Sequence, residues 1–187
     1  MKKQPSIVIA LAQTDNDLKG IKALQTANLK DTIAPENLKN TGFLTASYPL
    51  ALLQKMHALY PPVIAKSDQK IVGYALVVDR QIIGQHELLD DLFRQIDTVH
   101  YQKQPLAKCN YIVVGQLCVA QEVRGQGVAQ KLYNHFRTVY STAFDYCITD
   151  VDQENLPSLR AHQKTGFQVL DTISYGGSLW SIVLWDW

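Results

Sequence analysis

Apolar residues recur along the chain with two different periods, and the changes of period divide it into strands and helices. Ser6 to Ala12 reads as a first strand. Thr14-x-x-Asp17 then predicts a capped helix start, with Leu18, Ile21 and Leu24 turned inward. A polar loop from about Lys30 to Ser47 follows, and Pro49 suits the first turn of a second helix carrying Leu50, Leu53 and Met56 on one side. Pro61-Pro62 ends that helix. Val63 to Lys66 and Lys70 to Val78 pair as a hairpin around Ser67-Asp68-Gln69.

Between Gln85 and Asp97 the residues Leu88, Leu89, Leu92, Phe93 and Ile96 fall at helical spacing, which predicts an amphipathic helix inserted between two strands. Its apolar side reads either as a roof over the core or as the subunit interface of a homodimer. Tyr111 to Val119 is the longest β-rich run. Ala129, Leu132, Phe136 and Val139 mark the buried side of the next helix. Phe144 to Val151 is a further strand and Pro157 to Thr165 a further helix, stopped by Gly166 in the left-handed conformation. Strands from about Phe167 to Tyr175 and Leu179 to Asp186 flank Gly176-Gly177. There is no internal repeat, and residues 1–187 read as one domain.

Composition narrows the classes of function. With 187 residues, 47% hydrophobic and 19% charged, the chain has the material for one well-buried core. A net charge of +1 supplies no broad cationic excess for a nucleic-acid backbone, so no nucleic-acid partner is expected. Cys109, Cys118 and Cys147 are odd in number and widely spaced, which suggests buried filler in a reducing compartment rather than a metal site or a disulfide framework. The opening MKKQPSIVIALAQ imitates a secretory signal, but Ile7 to Ala12 is shorter than the roughly 7–15 residues such a core needs. No segment approaches the ~18 apolar residues of a membrane span. The expected location is the cytoplasm, away from the membrane.

The candidate chemistry lies in VRGQGVAQKLY, residues 123–133. A strand that delivers the chain into a helix leaves the first helical N–H groups aimed at one spot, aided by the helix dipole. Gly125 and Gly127 let the backbone curl and an anion approach, with Arg124 adding charge at the rim. A nucleotide P-loop does not fit, because Lys131-Leu132 has neither the spacing nor the hydroxyl. A dinucleotide fingerprint fits weakly, with Gln130 where the third glycine belongs and Asp150 near the place of a ribose-binding acid. A plain turn that starts a helix is the remaining reading.

Leu117-Cys118-Val119 followed by Arg124-x-x-Gly127-x-Ala129 resembles the acyl-coenzyme A signature of the GNAT family of N-acetyltransferases. Asn155-x-x-Ser158-x-x-Ala161-His162-Gln163-Lys164-x-Gly166-Phe167 resembles the second half of that family's cofactor site. The likeness is strong from about residue 110 to 170 and architectural before it.

The resemblance implies an α/β (α+β) fold, with a mixed, mostly antiparallel sheet, helices on both faces and a cofactor cleft between splayed central strands. It implies acetyl-coenzyme A as co-substrate, no metal, and direct transfer of the acetyl group to an amine of a small molecule or peptide. The pyrophosphate would lie against Arg124, Gly125, Gln126, Gly127, Val128 and Ala129. Pantetheine would bond the main chain at Leu117 and Val119, with Cys118 between them in the cofactor-binding set, the Val119 N–H facing the thioester oxygen and Asn155 touching the cofactor arm. Asn155 also suits a helix N-cap. His162 stands where the family commonly has a proton-donating tyrosine, similar to a bacterial subgroup with Ser-x-x-Phe-His, and is the expected acid, with a packed helix residue as its other reading. The strand glutamate that often serves as base has no counterpart at Val113 or Gly115. Asp150 and Asp152 are the nearest carboxylates, with Asp150 the expected base; a cap of the loop before the last helix and a water chain to backbone carbonyls are the other readings. Cys118 has no identifiable histidine partner and is not expected to be a nucleophile. The acceptor pocket is expected from residues 31–41, from Gln85 to Tyr101, and from the turn at Tyr175, with Tyr101 and Tyr175 as candidate lining. The absent glutamate and the histidine leave a second reading, a non-catalytic acyl-coenzyme A-binding regulatory module.

Overall fold

Thr14 and Asp17 close a reciprocal capping box, so the chain leaves its first strand and enters a helix within four residues. The structure is a computed structural model and describes residues 6–38 and 40–187; Lys39 and the charged start of the signal-like segment, residues 1–5, lie outside them. In order the elements are β1 (Ile7–Leu11), α1 (Asp15–Thr26), α2 (Leu50–Leu59), β2 (Val63–Ser67), β3 (Lys70–Val78), α3 (Glu87–Ile96), β4 (His100–Tyr101), β5 (Gln104–Pro105), β6 (Tyr111–Val119), α4 (Val128–Tyr140), β7 (Tyr146–Asp152), α5 (Leu156–Thr165), β8 (Gln168–Tyr175) and β9 (Ser178–Asp186).

Seven strands form one sheet in the order β1-β2-β3-β6-β7-β9-β8, and β4 and β5 make a separate small hairpin. Every neighbouring pair in the large sheet is antiparallel except β6 and β7. Helices cover both faces. The Tyr74 hydroxyl meets Gln116, which is bonded to Gln25 of α1, whereas the adjacent Gly73 abuts Val128 and Leu132 of α4. Consecutive strand residues point to opposite faces, so α1 and α4 lie on opposite sides.

The expected elements are present, with three differences that have physical causes. The segment from Lys30 to Ser47 is not simply a polar loop: Phe43, Leu44 and Ala46 within it, and Tyr48 just beyond, are buried, and Leu44 bridges to Leu29. Gln116 fixes this segment by donating to the Ala46 carbonyl, and Gln25 accepts from the Tyr48 N–H, at 2.9 Å each. The buried stripe of α4 is Val128, Leu132, Tyr133, Phe136 and Tyr140, with Ala129 and Val139 only half-buried. The helix is turned so that two tyrosines, whose rings carry more apolar area than alanine or valine, enter the core. On α3, Leu89, Leu92, Phe93 and Ile96 are buried within the chain's own core, so the helix roofs that core and leaves Leu88 at the surface.

Candidate active site

The parallel pair β6–β7 holds together for only three rungs, from Tyr111↔Tyr146 to Val113↔Ile148. The Thr149 hydroxyl donates to the Val114 carbonyl at 2.7 Å, and beyond it the strands part. Two residues past the last rung stand Gly115 on β6 and Asp150 on β7. Gly115 is an extra residue in the pairing with β3, since Leu76 opposes Gln116 and Val77 opposes Val114. A Cβ there would collide with the Val78 side chain, which explains the glycine. The Ala120 N–H donates to Val72 at 2.8 Å. By antiparallel alternation, Gln116 and Cys118 also turn their main chain to β3, and Leu117 and Val119 turn theirs into the gap.

The gap opens on one side into a cavity of about 890 Å³ that includes the glycine turn and one side of α5. Gly125 and Gly127 have φ of 77° and 74°, and nothing lies within 4 Å of a Cβ placed on either. Gly127 is the N-cap of α4 and offers no side chain, so the first N–H groups of the helix stay open, whereas Thr14 and Asn155 cap α1 and α5. Arg124, Arg160 and Lys164 line this cavity, and among the described residues no carboxylate does. Open helical donors, space over the glycines and a cationic wall suit a phosphate-bearing ligand.

The expected cofactor residues border this cavity, apart from Gln126, whose amide turns to the Glu122 carbonyl. Two of them differ from expectation. Arg124 is not a free charge at the rim: Nε donates to the Val119 carbonyl at 2.9 Å, and Nη2 to Asn28 Oδ1 and the Gly42 carbonyl. Its side chain ties the end of β6 to the segment before α2. Cys118 spends its main chain on β3 and buries its thiol beside Tyr74, where desolvation lifts its pKa to about 12 and makes it a poor nucleophile. Asn155 accepts from the Ser158 N–H and donates to the Phe43 carbonyl at 2.8 Å, so its amide caps α5 and anchors the loop at once.

On the other side of the parting lies a smaller cavity of about 290 Å³. Leu117, Phe43, Asn155 and Ser158 border both cavities, which therefore meet beside β6. Asp150 faces this second space. Burial lifts its carboxyl to about 6, the nearby Asp152 adds to the rise, and a hydrogen bond from the Tyr175 hydroxyl pulls the other way. Tyr48 is buried alongside, donates to the Gly115 carbonyl at 3.3 Å, and is held protonated by desolvation and by the charge of Asp150. Asp152 accepts from the Glu154 N–H at 2.9 Å and pairs with Lys30 at 3.5 Å, so it is the loop cap and not a second base. Tyr101 lies elsewhere, bonded to Asp186 and Gln168.

His162 is not arranged as a proton donor. Its Nδ1 lies 2.8 Å from the Ser158 carbonyl, which only accepts, so Nδ1 carries the hydrogen and Nε2 accepts from the Tyr133 hydroxyl at 2.7 Å. The ring is 3% exposed, and desolvation lowers its pKa to about 4. A neutral ring with both nitrogens bonded inside the fold has no proton to spare at neutral pH. It joins the first turn of α5 to α4.

A family model described as "Acetyltransferase (GNAT) family" matches residues 29–167. The chain belongs to the GNAT family of acetyltransferases. It is therefore an acyltransferase with acetyl-coenzyme A as co-substrate. No curated protein matches the sequence at a significant level. Solved GNAT-like folds superpose over nearly the whole chain. One is a chain of the NatC complex bound to Gag peptide and coenzyme A, at 14% identity, covering 97% of this chain and 99% of that one with a TM-score of 0.66. Another is a GNAT acetyltransferase from Streptococcus agalactiae, at 15% identity, 95% and 94% coverage and a TM-score of 0.67. A third is yncA from Salmonella typhimurium with its cofactor acetyl-CoA, at 15%, 96% and 93%, with a TM-score of 0.63.

Sequence reasoning missed three residues of the site: Tyr48, Gln116 and Trp180. Tyr48 and Gln116 depend on long-range packing and leave no local signal. Trp180 was legible in principle: the Gly176-Gly177 turn pairs Tyr175 with Ser178, and residue 180 is then its diagonal neighbour on the same face. The two rings stack at 4.9 Å and 16°.

Proposed function

We propose that this acetyltransferase moves the acetyl group of acetyl-coenzyme A directly to a primary amine of a small molecule or peptide, with Asp150 as the base. The observation that carries the reading is the parting of β6 and β7 after Val113 and Ile148, with a cationic, donor-rich cavity on one side and Asp150 on the other.

An amine arrives as an ammonium ion and must lose a proton before it can attack. Asp150 is ionised at neutral pH and, with a pKa of about 6, is a better base than an ordinary carboxylate. It accepts the first proton. The nitrogen lone pair then bonds to the thioester carbonyl carbon, the C–S bond breaks, and the second amine proton leaves with the thiol. The Val119 N–H, turned into the gap, suits the oxygen on which charge develops. The open turn of α4 suits the diphosphate, with Arg160 and Lys164 facing the same space. His162 serves as a positioning residue for Ser158 at the junction of the two cavities.

The test is thiol release from acetyl-coenzyme A with a panel of amines, polyamines, amino acids and peptide N-termini, with the acetylated product identified by mass. The reading predicts turnover, and an Asp150→Asn variant slower by a factor on the order of 10² or more with unchanged acetyl-coenzyme A affinity in calorimetry. Unaltered turnover in Asp150→Asn would place the base elsewhere. Tight cofactor binding without turnover of any amine would favour the regulatory binding module.

A further inference from the structure

The acceptor cavity has a composition unlike that of a site for amino acids or polyamines. Its one carboxylate not held by a cation is Asp150. Asp152 is held by Lys30 and the Glu154 N–H. Among the described residues its one Lys or Arg is Lys30, which lies between Asp152 and Glu154, at 2.9 Å from the latter, and over the Phe43 ring at 4.8 Å. The rest of the wall is mixed: uncharged polar groups such as Thr45, Gln116 and Ser178 alternate with apolar and aromatic surfaces that fall on two sides. Leu88, Leu89 and Leu92 of α3 form one side, and the Tyr175–Trp180 stack forms another.

We propose that the acceptor is a primary monoamine with an aryl or alkyl body and no carboxylate, its ammonium at Asp150 and its body between the α3 leucines and the Tyr175–Trp180 stack. This rests on the amine-acetylation reading above and narrows it. A carboxylate on the substrate would enter a space where, among the described residues, the one Lys or Arg is already paired, and a charge that loses water without gaining a partner is unfavourable. A second ammonium meets the same obstacle, since the second carboxylate is held by Lys30. An apolar or aromatic body gains burial against the leucines and rings. The volume of about 290 Å³ lies at the small end of ligand pockets and favours a short acceptor.

The test uses the full chain and four probes with acetyl-coenzyme A: 2-phenylethylamine, L-phenylalanine, L-phenylalaninamide and spermidine. The first three share one aryl body and differ in the carboxylate. Phenylethylamine and phenylalaninamide are expected to exceed phenylalanine in kcat/KM by on the order of 10²-fold, the usual discrimination of a site that leaves a charge unpaired. Spermidine should trail phenylethylamine. In Trp180→Ala, kcat/KM for phenylethylamine should fall about tenfold with acetyl-coenzyme A affinity unchanged in calorimetry, as expected when one aromatic contact is lost. Trp180 is part-exposed on a hairpin, so this variant separates recognition from folding. Equal or better use of phenylalanine or spermidine would overturn the inference and leave amine acetylation intact. Turnover of none of the probes, nor of the wider amine panel, would overturn both.

Discussion

Asp150 and His162 illustrate how burial decides chemistry for single side chains. His162 is buried and Asp150 half-buried: Asp150 faces a cavity and keeps a titratable edge, whereas His162 has each nitrogen bonded within the fold. Replacing Tyr175 by Phe removes the hydroxyl that pulls the Asp150 pKa down. The acid limb of the kcat/KM profile should then move to higher pH, read against an unchanged acetyl-coenzyme A affinity. The same two groups bear on stability with opposite signs. The folded pKa of His162 is depressed to about 4 from 6.5, so its contribution is present above pH 6.5 and is lost as pH falls towards 4. That shift corresponds to at most about 3 kcal/mol. The folded pKa of Asp150 is raised from 3.8 to about 6, so its contribution is present below pH 3.8 and is lost as pH rises through 6. The two largely offset one another in wild type between pH 4 and 6. In His162→Phe the histidine contribution is gone, and thermal melts should show less loss of stability on acidification than wild type does. The variant also leaves the Tyr133 hydroxyl without its acceptor, which costs about 1–3 kcal/mol at all pH values.

The turn into α4 was the most legible element, because positive φ and an uncapped helix start are properties of glycine itself. Gly127→Ala forces a Cβ into a left-handed residue, a strain of roughly 1–2 kcal/mol, while meeting no protein atom. Acetyl-coenzyme A binding should weaken about tenfold or more in calorimetry, and an unchanged Kd would mean that the diphosphate lies elsewhere. Helix starts, the hairpin at Asp68 and the left-handed end at Gly166 were readable for the same reason: each is fixed by two to four adjacent residues. What the sequence concealed is set by partners far along the chain. The inward turn of Arg124 depends on Asn28 and Gly42, and the burial of Tyr48 depends on Gln25 and Gly115. Arg124→Met should therefore speed amide hydrogen exchange in residues 40–46, since it removes the tie between that segment and β6.

Across the fold, one departure from antiparallel pairing creates the site. Six strand neighbours in a sheet can all be antiparallel and leave no opening; here the single parallel pair comes apart once Gly115 bulges and Thr149 fills the last rung. The motifs from about residue 110 to 170 pointed to this parting through the family resemblance. The identity of the acceptor was not legible there, because its pocket is assembled from α3, the segment around Tyr48 and the β8–β9 turn, which the motifs do not include. The most direct test is the pH dependence of kcat/KM for the best amine with wild type and Asp150→Asn. The account predicts that wild-type activity is lost as pH falls through about 6 and that the variant is slow with this limb gone. An identical limb in both proteins would contradict Asp150 as the group that frees the attacking nitrogen.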